Sequence, residues 1–198
     1  MRAVLTAGIH GVARGGLWIG GGLILLAAVL IGIDVSLRRL FSVSIGGADE
    51  LAGYALAIGT AWSLAAALLD RAHIRIDSLY VFFPAPVRVL LDFIGLGLFV
   101  GFFALVGWHG IGVVQQSWAS GSRSQSALET PIVLPQIIWL AGLGVFVLVG
   151  TALALMALGR LLAGDRAGVA GMIGTRSSQE EVGIEMQSIE ARRTVDEP

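Results

Sequence analysis

The residues able to do chemistry are few: three histidines, two tyrosines, fourteen acidic and thirteen basic side chains, with no cysteine. Without cysteine there is no thiolate metal site, no disulfide and no cysteine nucleophile. A haem gripped between helices needs two histidines at one depth on neighbouring helices. His10 precedes the first long apolar run, His73 follows the second, and His109 lies near the far end of the third. His10 and His73 thus lie at one surface and His109 near the other, and no two meet across a bundle interior. Neither a bis-histidine haem nor a histidine metal site is therefore expected, and no cofactor is. Asp34 with Arg38, and Arg88 with Asp92, are i,i+4 pairs near the ends of apolar runs, where opposite charges can neutralise each other. An ionisable group inside a membrane is a functional candidate by default. These four stand close to the ends, which favours interfacial anchoring over an ion relay. The densest polar stretch is Asp70-Arg71-Ala72-His73-Ile74-Arg75-Ile76-Asp77, running on into Leu79-Tyr80-Val81-Phe82-Phe83-Pro84. It reads as a charged loop that stops a helix and returns through an aromatic segment. The sharper reading is a fixed polar cluster, with His73 and Asp77 bonded to each other or to a neighbouring helix end.

Four apolar stretches must position these groups. Of 198 residues, 56% are hydrophobic and 14% charged, where soluble domains carry about 25% charged residues. Mean hydropathy is +0.83, and an ordinary cytosolic enzyme is excluded. Spans are expected at about 15–37, 51–69, 87–114 and 132–158, since a bilayer crossing takes about 20 apolar residues. The expected fold is an all-α integral membrane protein whose four transmembrane helices form a small bundle. The shortest span rises about 28 Å, just enough for the hydrocarbon core, and the third is long enough to tilt or protrude. Arg2 and Arg14 before an apolar run suggest a signal peptide, but the run is too long and lacks a small-x-small site. It is read as an uncleaved first span. Gly16 and Gly20, and Gly97 and Gly101, have small-xxx-small spacing, which lets helices approach closely in a bundle or against a partner. No span carries a charge at its centre and none is broken by proline. Transporters that hold solute themselves usually have broken helices and polar midplane groups, so this chain is not expected to bind a transported solute alone.

Arginine asymmetry sets the expected orientation. With the N-terminus inside, Arg2, Arg14, Arg71, Arg75, Arg88, Arg160 and Arg166 lie inside, and Arg38, Arg39 and Arg123 outside. Seven against three favours N-in and C-in. Trp18 and Tyr80 then mark the inner surface, and Tyr54, Trp108 and Trp139 the outer one. The domains expected are a cytoplasmic N-terminus (1–14), a membrane part (15–158) and a cytoplasmic tail (159–198). The tail is rich in Gly, Glu, Arg and Ser, which bury little apolar area, so disorder is its expected state. With net charge -1 and no basic field, nucleic acid is not an expected partner.

One combination of residues is more specific. Arg39 and Phe41 follow the first span, Glu50 opens the second, Trp62 lies inside it, and His73, Arg75 and Asp77 follow it. Ser124-Gln125-Ser126-Ala127-Leu128, Thr130-Pro131-Ile132 and Pro135 then lead into the fourth. In order, spacing and span number this resembles the small membrane subunit (DctQ-type) of tripartite ATP-independent periplasmic, or TRAP, transporters, across about residues 15–158. Leu51-Ala52-Gly53 is blander than that pattern, and the tail beyond Gly159 is longer.

The resemblance implies a multi-pass protein of a bacterial inner membrane with three kinds of partner: a separate large permease subunit (DctM-type), a periplasmic solute-binding protein and membrane lipids. The binding protein would deliver an organic acid, the large subunit would move it on a cation gradient, and the small subunit would scaffold the large one. By the same resemblance Arg39, Glu50 and Arg123 would belong to an external docking face. His73, Arg75 and Asp77 would hold the inner loop or contact the large subunit. The rival class is a stand-alone membrane protein, either a homo-oligomeric channel or the anchor subunit of a respiratory complex. A channel would need a polar stripe, and only Thr60 and Ser63 of the second span offer one; both are ordinary intrahelical bonders. The anchor would need paired histidines, which are missing.

Overall fold

The computed structural model describes residues 2–71 and 82–174, with the single positions 183, 186 and 189. Four long helices dominate: α1 (Arg2–Phe41), α2 (Ala48–Leu69), α3 (Ala85–Ser120) and α4 (Val133–Leu162), followed by a short α5 (Arg166–Ile173). All four long helices are apolar and long enough to cross a membrane. Residues 15–33 of α1 and 51–69 of α2 carry no charged side chain, and each stretch rises about 28 Å, the thickness of a hydrocarbon core. With 40 and 36 residues, α1 and α3 are about 60 and 54 Å long, so both tilt or project beyond the bilayer. Local chemistry sets the ends of α3: Pro86 sits in its first turn, and Gly121 closes it at φ +60°, a left-handed conformation glycine adopts without strain.

The principal helix pairings are α1 with α2, α2 with α4, and α4 with α3. A closed four-helix bundle would give every helix two such neighbours. Here α1 and α3 are the two edges of a row, and α2 and α4 its centre. Burial follows that order: a third (33%) of the most apolar window of α2 and of α4 is buried, against 17% for α1 and 11% for α3. The pairing order is therefore open at α1 and α3, while the buried clusters join three helices at a time: α2, α3 and α4 around Phe146, and α1, α2 and α4 around Ala66. In lipid an exposed apolar edge carries no hydrophobic cost, so nothing forces closure.

Small residues make the α1–α2 seam. Ala13, Gly16, Gly20, Ala27 and Asp34 are buried along α1, with Leu23 and Leu30 half-buried between them. Alternating steps of three and four are the seam of a left-handed helix pair. On α2 the same alternation runs through Ala48, Ala52, Gly59 and Ala66. A side chain on Gly16 would meet the Trp62 carbonyl at 2.5 Å, and one on Gly20 would strike the Gly59 carbonyl and the Ser63 hydroxyl. Trp62 crosses to the other side of α2. Its indole Nε1 donates to the Ile138 carbonyl of α4 (3.0 Å), beside Gly142, where any side chain would collide with the ring.

Larger side chains fill the α3–α4 seam. Phe99 and Phe103 of α3 pack edge-on against the fully buried Phe146, with ring centroids 5.4 and 5.0 Å apart. The start of the tail also packs, although disorder is the expectation from Gly159 on. The helix α4 continues to Leu162, and α5 buries Val169 and Ile173 among Leu68, Val89, Leu153 and Ala157. Val169 and Ile173 are one helical turn apart, enough apolar surface to dock a two-turn helix.

Candidate functional site

Polar side chains gather at the two ends of the row. At the first end, Asp34 occupies the last position of the small-residue seam of α1, with 1% of its side chain exposed. There it pairs with Arg38 one turn on, accepts the Ser44 hydroxyl at 2.9 Å and accepts the Ile45 backbone N–H at 2.6 Å. The carboxylate thereby ties the α1–α2 turn back onto the helix it leaves. That turn needs unusual backbone: Ser42 has φ +56° and Gly47 φ +87°. At Gly47 a side chain would strike Leu128, so this position also admits the neighbouring loop.

The neighbouring loop joins α3 to α4 and is held across the row by Glu50. Its carboxylate Oε2 accepts the Ser124 hydroxyl at 2.8 Å and the Ser126 hydroxyl as well. Each serine in turn orders its own loop, Ser124 Oγ accepting the Thr130 N–H (3.2 Å) and Ser126 Oγ the Leu128 N–H (3.1 Å). Backbone bonds close the loop base, from Ser124 N to Thr130 O (2.9 Å) and from Ile132 N to Ser122 O (3.2 Å). Arg123 reaches across to the Glu129 carbonyl at 3.1 Å and is otherwise exposed. Glu50 and the loop carrying Arg123 thus form one unit, while Arg39 stands exposed in the last turn of α1. The serines are what a reading of charges misses; their signal is a pair of hydroxyls two residues apart just before a span.

At the opposite end, arginines donate to carbonyls. Arg71 reaches Ala170 O and Gly174 O at the C-terminus of α5 (3.5 and 3.4 Å). Arg88 donates to Phe83 O (2.6 Å) and Arg160 to Gly168 O (3.1 Å). Asp165 caps α5, accepting the Gly168 N–H at 2.8 Å. Asp92 is fully buried in α3 near this end. His73, Arg75 and Asp77 lie outside the described residues. Of the glycine pairs, Gly16 and Gly20 lie in the α1–α2 seam, whereas side chains on Gly97 and Gly101 would meet open space.

Chemically, these two ends hold loops and helix ends in place. The carboxylates of Asp34 and Glu50 accept from hydroxyls and backbone N–H groups. Among the described residues no three His, Asp or Glu side chains gather as a metal site. The family model for tripartite ATP-independent periplasmic transporters, DctQ component, matches residues 27–161. No curated protein and no solved structure matches the chain.

Proposed function

The chain belongs to the DctQ family, the small membrane component of tripartite ATP-independent periplasmic transporters, and on that premise we propose that it is a brace for the large permease subunit. It is a transport subunit and not an enzyme. In this reading the row sits in a bacterial inner membrane with both termini in the cytoplasm. Its carboxylate-held end then faces the periplasm, and Arg39, Glu50 and Arg123 belong to the face that meets a solute-binding protein. The inner stretch with His73, Arg75 and Asp77 holds the inner loop or contacts the large, DctM-type subunit. The transported organic acid and the cation gradient act on that large subunit.

The observation that carries this reading is the open row. Four apolar helices paired in open order, with no charge at mid-depth, offer lateral surface to another membrane protein and no polar path for a solute. Exposed apolar side chains such as Leu25, Leu26, Leu98 and Phe102 lie on the two edge helices. The test is uptake into proteoliposomes holding the large subunit, with binding protein outside, with and without this chain. Uptake that requires the chain supports the brace; equal uptake without it rejects the proposal. Loss of uptake with Glu50→Ala or His73→Ala would support their assigned places, and full uptake would remove them.

A further inference from the structure

A cavity of about 760 Å³ opens between the N-terminal part of α1 and the C-terminal part of α2. Its lining changes character along the helix axis. Leu17, Trp18 and Leu69 supply an apolar side, and His10, Arg14 and Asp70 a polar one. His10, Arg14 and Trp18 follow one another at i, i+4 and i+8, on one face of α1. Ala13 and Ala66, both buried, form the floor where the two helices touch.

That change of character coincides with the edge of the bilayer core. Arg14 and Asp70 are the charged residues that end the uncharged stretches 15–33 of α1 and 51–69 of α2. On the apolar side, Trp18 is 81% exposed, at the depth where tryptophan anchors in the headgroup region. Beyond Arg14, α1 runs on to Arg2, so a wall of helix about 18 Å long stands beside the headgroup layer. An occupant must therefore be amphiphilic, with its polar part level with Arg14 and its chains beside Leu17 and Leu69. It must also offer a negative group to Arg14 and a positive one to Asp70.

We infer that this cavity is a binding site for a phospholipid whose headgroup carries both a phosphate and a primary ammonium, the phosphatidylethanolamine class. Arg14 takes the phosphate by charge-assisted hydrogen bonds, for which a guanidinium is well shaped. Asp70 takes the ammonium, which an anionic glycerol headgroup lacks and a trimethylated one cannot donate from. The inference rests on the four helices crossing a bilayer and not on the docking roles proposed above.

Native mass spectrometry of the full chain tests it, with phosphatidylethanolamine, phosphatidylcholine and phosphatidylglycerol of matched acyl chains as probes. The expected result is retention of phosphatidylethanolamine about tenfold above phosphatidylglycerol, the size of one charge-assisted contact. Arg14→Gln then loses retention of the lipid about tenfold, and Arg14→Lys, which keeps the charge, restores most of it. Asp70→Asn removes the preference among headgroups, while His109→Gln, near the opposite end of α3, changes nothing. Equal retention of the three lipids, or a preference that survives both Arg14→Gln and Asp70→Asn, would overturn the inference. Co-purification with the large subunit is a separate readout, so a failure here leaves the brace untouched.

Discussion

The two ends of the row differ in the chemistry that predominates. At the Asp34–Glu50 end, carboxylates are the shared acceptors, and besides Arg38 their donors are hydroxyls and a backbone N–H of two loops. Arg123 is the one arginine there seen donating to a carbonyl among the described residues. At the α5 end, apart from the Asp165 cap, arginines are the donors and the acceptors are carbonyls, two of them at the C-terminus of α5. A carboxylate can gather several donors at one point and so fix the shape of an irregular loop. An arginine satisfies the carbonyls a helix leaves open and interacts favourably with its dipole, but it leaves the neighbouring backbone free to vary. The first end is thereby built to present a fixed surface, and the second to hold elements together.

Removing an acceptor shared by several donors should do most damage. Asp34→Ala leaves the Ile45 N–H, the Ser44 hydroxyl and Arg38 without their common partner. The expected fall in melting temperature is the largest of the series, roughly 5 °C or more, read by thermal unfolding in detergent. Glu50→Ala should free the α3–α4 loop while the spans stay folded. Tryptic cleavage after Arg123 is expected to rise about tenfold, reporting local opening of that loop alone. Effects at the other end should be smaller. Asp165→Ala removes the cap of α5 and is expected to cost about 1 kcal/mol, seen as faster amide exchange over 166–173. Arg71→Ala should cost about 0.5 kcal/mol or less, because its two bonds to α5 are long and partly wet. If Arg71→Ala proves more damaging than Asp34→Ala, the contrast between the ends is wrong.

Much of this was legible in the residues, for identifiable reasons. The four spans announce themselves because each is a long apolar run, and membrane helices satisfy their own backbone. The order of helices in the row was not legible. It depends on which faces meet, and an all-round apolar helix has no pattern that points to its neighbour. The Asp34–Arg38 pair could be read from i,i+4 spacing, but its hold on Ile45 depends on turn residues with positive φ. Glu50 was visible as a charge opening a span and the serines as a hydroxyl pair before another, but they lie 74 and 76 residues from Glu50, so nothing local signals their pairing with it. The glycines teach the same lesson. Gly16 with Gly20 and Gly97 with Gly101 share one spacing, yet among the described residues only the first pair is pressed against another helix. The polar composition of the wider tail hides Val169, Met172 and Ile173 of α5, whose one-turn spacing is the sequence trace of its docking face.

Co-purification tests the central claim, that this row braces a larger membrane subunit, most directly. The tagged full chain, extracted in mild detergent from cells that also make the large permease subunit, is expected to bring that subunit with it in one-to-one ratio. Recovery of this chain alone or only with copies of itself, across several detergents, would contradict the brace and favour a stand-alone membrane protein.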